Sequence, residues 1–324
     1  MNYNVIRYSQ EYKQQWDDFV RTAKNATFLF FRDFMDYHSE RFEDYSLMVF
    51  KDSKLQALLP ANKNGQTIYS HQGLSYGGFL ISKKSNLNNL ISIYTETMQF
   101  LKSQNFKGLS IKSIPIIYHN NINQEEALIH NLLEATITRV DSYLVIDNSS
   151  VKKNQINRNR KRALKKARDF QLSFKKSEDL EAFWGNLLTP NLQKRFKTTP
   201  THNLDEIRLL KNRFPEQIQF YGVYENQSLR AGAVMFIFDK VVHFQYSSGD
   251  ENRDNGALDL LFYSIIELFK EKKYISFGNS SEKNGAKINQ GLLYWKESFG
   301  AESIVQTFYD INVNNFDKLK NCFS

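Results

Sequence analysis

The chain has 324 residues, 41% of them hydrophobic and 14% aromatic, and a formal net charge of +8. That length asks for two domains of ordinary size, and that apolar content excludes general disorder. A single cysteine, Cys322, excludes an internal disulfide framework and a cysteine-rich metal site, and no apolar run approaches the roughly 20 residues that span a bilayer.

The first stretch, MNYNVIRYSQEYKQQW, is polar and lacks the apolar core of a signal peptide. A cytoplasmic protein is expected, with peripheral attachment to the inner membrane face left open. Residues 50–73 read as strand, polar turn, strand, turn, strand, with alternating apolar residues. The segment SHQGLSYGGF, residues 70–79, carries three glycines with His71 and Tyr76. It reads either as a loop closing against a ligand between two halves or as a sharp turn. A helical pattern over 86–104 and a short apolar strand, GLSIKSI, follow.

Between Lys152 and Arg168 there are nine Lys or Arg and no acid, and without this stretch the chain is close to neutral. The basicity therefore belongs to one local feature, with a narrow apolar stripe of Ala163, Leu164, Ala167 and Phe170. Such a helix could hold tRNA phosphates, an anionic lipid-linked precursor or a membrane surface, or it could simply be solvated. Residues 191–215 join two helices with breaks at Pro200 and Pro215. Asn203 suits an N-cap with Glu206 as its capping-box partner. The length suggests a loop over an active site, with Arg195 and His202 as acceptor contacts.

Residues 224–247 repeat the plan of 50–73 at an offset of 174, which lays Leu55 on Leu229, Ala57 on Ala231 and His71 on Gln245. A helical pattern at 255–273 and the strand YISFGNS come next. There the offset becomes 166, so that Leu109 falls on Ile275, Tyr143 on Tyr309, and INQ at 122–124 on INQ at 288–290. A register held over two blocks indicates a duplicated domain, with halves near 1–147 and 148–324.

The repeated unit, an antiparallel meander followed by strand–helix–strand, resembles the GNAT acyltransferase domain. In tandem it is similar to the Fem family of peptidoglycan aminoacyl transferases and to the related BioF2-like acetyltransferases. The expected fold is therefore α/β (α+β), two tandem GNAT-like domains, each a mixed, largely antiparallel sheet flanked by helices. The first would be degenerate and serve the acceptor, and the second would hold the donor.

Three segments carry the chemistry implied. Arg253-x-x-Gly256-Ala257, with Asn255, resembles the pyrophosphate loop of GNAT enzymes. Free N–H groups at a helix start and a glycine that permits close approach suit a phosphate there. Leu258 departs from the pattern, and the same residues also read as a plain turn and cap. In YWKESFG, Tyr294, Lys296 and Phe299 match a GNAT-like helix ending, while Phe277-Gly278-Asn279-Ser280 and Lys296…Phe299-Gly300 match the Fem-like one. By resemblance Tyr294 would protonate a leaving thiolate, and Lys296 would stabilise an oxyanion or the charge of an aminoacyl-tRNA end. Either side chain could instead be ordinary helix surface or packing. On the strand DKVVHFQYSSG, His243, Gln245 and Ser247 share one face, with Phe244 and Tyr246 on the other. His243 could relay a proton from an attacking amine, and Gln245, Tyr246 and Asn279 are substrate-contact candidates.

The leading expectation is an N-acyltransferase that moves an acyl group, acetyl first, from acyl-CoA to an amine of a cell-envelope or sugar precursor. The amine would attack directly, in the cleft between the halves, with no covalent enzyme intermediate. The alternatives are a Fem-like transferase using aminoacyl-tRNA and a non-catalytic anion- or RNA-binding module. The six scattered histidines show no metal spacing, and no metal is expected. No Walker loop, dinucleotide fingerprint or nucleophile elbow occurs.

Overall fold

The structure, a computed structural model, describes residues 3–121, 124–149, 156–251 and 255–323. Lys152, Lys153, Arg253 and the first two residues of the INQ match at 122–124 lie outside them. The chain divides into residues 1–141 with 305–324, and residues 142–304. The last twenty residues thus complete the first unit, where a division at 147/148 would leave them in the second.

In the first unit, strands Tyr3–Arg7, Leu47–Lys51, Lys54–Leu59 and Leu80–Ile81 form an antiparallel sheet in that order. The short strands Asn62–Asn64 and Thr67–Tyr69 form a hairpin. Helix Leu87–Ser103 then carries the chain across to Gly108–Lys112, which pairs parallel with Thr67–Tyr69. Asn86 starts that helix by accepting the Asn89 N–H. Leu90, Ile93, Tyr94, Met98 and Leu101 recur at the helical period and are buried in the core with Leu47, Leu59 and Ile81.

In the second unit, Ser173–Ser177, Ile218–Glu225, Ser228–Ile237 and Val241–Gly249 form an antiparallel meander. A crossover helix, Ala257–Leu268, leads to strand Tyr274–Asn279, and helix Gln290–Glu297 follows. The residues 143–147 flank Tyr274–Asn279 antiparallel. Phe244 stacks on Phe262 with ring centres 4.1 Å apart, and Phe277 and Phe299 close the cluster. The capping box at Asn203 and Glu206 forms as expected and starts helix Leu204–Arg213.

The repeat is visible in these elements. At 174, strands Leu47–Lys51 and Lys54–Leu59 fall on the ends and starts of Ile218–Glu225 and Ser228–Ile237. At 166, Gly108–Lys112, Glu125–Leu132 and Thr136–Asp147 fall within a residue of Tyr274–Asn279, Gln290–Glu297 and Glu302–Asn312.

Candidate active site

Strands Val241–Gly249 and Tyr274–Asn279 pair in parallel only at Val241–Tyr274, Val242–Ile275 and His243–Ser276. Beyond that point they part, and residues 244–249 pair only with the meander strand on their other side. The parting strand is also bulged: Val234 faces Tyr246 and Met235 faces Phe244, so Gln245 is the extra residue. A bulge leaves ladder groups unpaired and re-aims the strand. The second unit therefore holds a split whose edges carry backbone polar groups without sheet partners.

Lys296 lies at this split. It is 5% exposed, and its ammonium donates to the carbonyls of Gly278 (3.1 Å) and Asn279 (2.7 Å). Two successive carbonyls can reach one ammonium because the strand is irregular between Ser276 and Asn279, and Gly278 takes a left-handed φ of +68°. Burial pushes Lys296 down to about 7 from the ordinary lysine value. No carboxylate among the described residues pairs with it.

His243 borders the same carbonyls, since a Cβ on Gly278 would stand 3.2 Å from its Cε1. Its Nδ1 lies 3.0 Å from the Ser276 hydroxyl, which also accepts the Gly278 N–H at 3.4 Å. Burial first, and the Lys296 charge second, hold the imidazole down at about 4. The site thus sets a neutral histidine within the field of a lysine poised near neutrality, whose protonation can change near working pH.

The other expected residues lie as follows. Tyr294 is 52% exposed, and its hydroxyl accepts from the side-chain amides of Asn157 (3.4 Å) and Asn159 (3.2 Å). Asn279 gives its carbonyl to Lys296 and its Oδ1 to the Ser281 N–H at 2.6 Å. Gln245 is half-buried at the bulge. The Tyr246 hydroxyl accepts the His202 N–H at 3.1 Å and stands 2.6 Å from His202 Nδ1, so these two fasten the loop before helix Leu204–Arg213 to the strand. Arg195 is exposed at the end of helix Thr189–Phe196.

At the crossover helix, buried Asn255 caps the Ala257 N–H at 2.9 Å. Gly256, with φ +78°, backs onto the basic helix Arg158–Asp169, where a Cβ would meet the Ala163 carbonyl at 2.2 Å. Asp259, in the first turn, pairs with Arg160 of the basic helix. Leu164 and Ala167 bury the stripe of that helix, whereas Phe170 is exposed. Sequence reasoning passed over Ser276 and did not assign Gly278 a role, although a glycine inside a strand is a signal of a bulge. Among the described residues no group of three or more His, Cys, Asp or Glu could hold a metal ion, and no helix is long and apolar enough to cross a membrane.

No protein-family model and no curated protein matches the sequence. Solved structures do match the fold over nearly its whole length. FemX aligns at 11% identity with TM-score 0.66, over 98% of this chain and 99% of its own. L-PGS from Bacillus licheniformis aligns at 10% identity with TM-score 0.59, over 96% and 94%. A tandem GNAT protein from the clavulanic acid biosynthesis pathway aligns at 10% identity with TM-score 0.52, over 96% and 99%. The chain has the tandem GNAT-like fold.

The two GNAT-like domains treat the split differently. In the first domain, Thr67–Tyr69 and Gly108–Lys112 begin the same parallel pairing, but the chain then folds back between them. Ser70 donates its N–H to the Ser110 carbonyl (2.8 Å), and its hydroxyl accepts the Lys112 N–H (2.9 Å). Gly77 donates to the Lys112 carbonyl at 2.7 Å, and the Lys112 ammonium donates to the carbonyls of Gln72 (3.0 Å) and Leu74 (2.6 Å). A Cβ at Gly77 would stand 1.9 Å from the Ser70 carbonyl. Residues 70–79 are thus a plug sealed onto their own crossover strand, with Tyr76 buried and bonded to Thr27 at 3.1 Å. His130, at the repeat position of Lys296, is buried at 3.0 Å from the Tyr94 hydroxyl.

Proposed function

We propose that the protein transfers an acyl or aminoacyl group to an amine by direct attack, with its reaction centre at the split of the second domain. The observation that carries this reading is the buried Lys296 ammonium, which holds two carbonyls and, among the described residues, no carboxylate. A buried cation with a spare N–H favours a partner that becomes anionic during reaction. The amine nitrogen would bond to the donor carbonyl carbon, and Lys296 would stabilise the oxyanion. As the carbon–oxygen bond to the carrier breaks, the Lys296 proton would pass to the leaving oxygen. Neutral His243 would take the proton released by the attacking amine.

An aminoacyl ester on tRNA is the donor we favour. Arg158, Lys161, Arg162 and Lys165 are exposed on one side of the basic helix, three and four residues apart, and none pairs with a carboxylate among the described residues. Such a row suits successive phosphates. Acyl-CoA is the second reading, supported by the left-handed turn of Gly256 at the start of the crossover helix. Against it, the Asn255 side chain already takes the Ala257 N–H, Gly256 serves helix packing, and Asp259 adds a carboxylate to the first turn. An amine of a cell-envelope or sugar precursor as acceptor follows from the Fem-like sequence pattern.

Thermal shifts of the full chain with CoA, acetyl-CoA and charged tRNA separate these donors. Salt-sensitive stabilisation by tRNA, with aminoacyl transfer lost in Lys296→Met, is the expected result. Stabilisation by CoA alone would move the assignment to acyl-CoA. Binding without transfer to any amine would leave an anion- or RNA-binding module.

A further inference from the structure

Lys296 is held by carbonyls, and their direction is set by the backbone that carries them. Strand Tyr274–Asn279 ends in an Asx turn: the Asn279 Oδ1 accepts the Ser281 N–H at 2.6 Å, while the Asn279 carbonyl accepts the Lys296 ammonium at 2.7 Å. The ring closed by such a turn runs through the Asn279 carbonyl carbon, so it restricts ψ there and with it the direction of that carbonyl. A backbone N–H can only donate, which settles Oδ1, not Nδ2, as the atom in the turn.

The turn is anchored on both sides. Ser280 donates its N–H to the Ser142 carbonyl at 2.9 Å, and the Ser281 hydroxyl accepts the Ser142 N–H at 2.9 Å. The Ser280 carbonyl accepts the Asn289 N–H at 3.0 Å, and the Asn289 side chain caps the helix that carries Lys296 by accepting the Leu292 N–H at 2.9 Å. One turn thus sets the carbonyl and, one residue on, the start of the helix that brings the ammonium to it.

The residue type matters as well. Aspartate would make the same turn, yet it would set a carboxylate on the residue whose carbonyl touches Lys296 and offset the ammonium's charge. Asparagine supplies the acceptor without that charge, and the titratable group that senses the ammonium among the described residues is neutral His243. In the first domain Ser113 holds the position of Asn279 at the offset of 166, and its carbonyl accepts the neutral Gln306 amide at 3.0 Å. The acceptor carbonyl recurs in both domains, and only the second sets an ammonium on it.

We propose that Asn279 is the positioning residue of Lys296: its side chain turns the Asn279 carbonyl onto the ammonium, and its neutrality leaves that charge for the oxyanion. The role rests on the transfer reaction proposed for the second domain, but its test does not use that reaction. Heteronuclear NMR of the full chain with isotope-labelled lysine reads the Lys296 titration directly, and Lys296→Met identifies the signal. Asn279→Asp keeps the turn and adds a charge, so Lys296 should titrate about one pH unit or more above wild type. Asn279→Ala removes the turn and loosens a bond from a charged donor, so Lys296 should titrate about one pH unit lower. Asn279→Ser, which can make the weaker hydroxyl form of the turn, should fall between alanine and wild type. Opposite movement of the aspartate and alanine signals is the expected result. An alanine variant that titrates with wild type, or moves upward, would overturn the proposal and return Asn279 to a substrate contact. Should the alanine variant not fold, serine decides in its place, and no downward movement there would overturn the proposal equally. Transfer undiminished in Lys296→Met would sink the reaction reading, while the titrations still judge the positioning.

Discussion

Tyr294 and Lys296 stand two residues apart on one helix and face opposite ways. The Lys296 ammonium is buried against the Gly278 and Asn279 carbonyls, whereas the Tyr294 hydroxyl is at the surface against Asn157 and Asn159. Two helical steps turn a side chain by about 200°, so one helix cannot aim both at a single bound carbonyl. Of the two, the lysine is at the split.

Replacing Lys296 by methionine should cost turnover about 10²–10³-fold, the usual loss for a preorganised oxyanion donor. The same change should stabilise the fold at low pH. The folded lysine titrates at about 7 against an ordinary 10.5, so between those values the unfolded chain binds more protons. Wild-type stability should therefore rise from pH 7 towards 10.5, and the burial cost is full below 7. Melting of Lys296→Met against wild type should show a gain that is largest near pH 6 and shrinks by pH 10. A loss of stability at pH 6 would mean that the carbonyl contacts outweigh the buried charge.

Activity should need neutral His243 and protonated Lys296. With His243 at about 4 and Lys296 at about 7, kcat/KM should rise through the first value and fall through the second. Because the Lys296 charge helps depress the histidine, the His243 Cε1 proton signal should titrate at higher pH in Lys296→Met. An unchanged titration would show that the two groups do not sense each other.

Tyr294→Phe should leave turnover within about threefold and stability within about 0.5 kcal/mol, as for other exposed positions. Steady-state kinetics with a matched melting curve check this. A loss of a hundredfold would return the tyrosine to the reaction.

Gly256→Ala should destabilise the protein by about 2 kcal/mol or more. It adds the strain of a left-handed alanine to a contact of 2.2 Å with the Ala163 carbonyl. Urea unfolding measures it. A variant that folds normally but loses CoA binding would show that the glycine serves a phosphate rather than the basic helix.

Much of the architecture was legible because strand alternation and helix period are local, and the offsets of 174 and 166 carried Leu55 onto Leu229 and Leu109 onto Ile275. Lys296 was legible as a motif, yet its burial was not. That depends on the irregular backbone at Gly278, which lets its carbonyl and that of Asn279 reach one ammonium, and on where the two strands part after His243. Tyr246 and His202 were each read as substrate contacts. Their bond to one another joins residues 44 apart, which no local pattern encodes.

The return of residues 305–324 to the first domain imposes an order on synthesis. Ile311, Val313, Phe316 and Leu319 belong to its core, and residues 308–312 supply the strand that pairs with Gly108–Lys112. At roughly 5–20 residues per second, the ribosome needs on the order of ten to thirty seconds to make the chain between the two pieces. Throughout that interval the first domain presents an unpaired strand edge and uncovered apolar side chains. The half that begins first is thus finished last, and a chain stopped short of Val305 would forfeit its beginning together with its end.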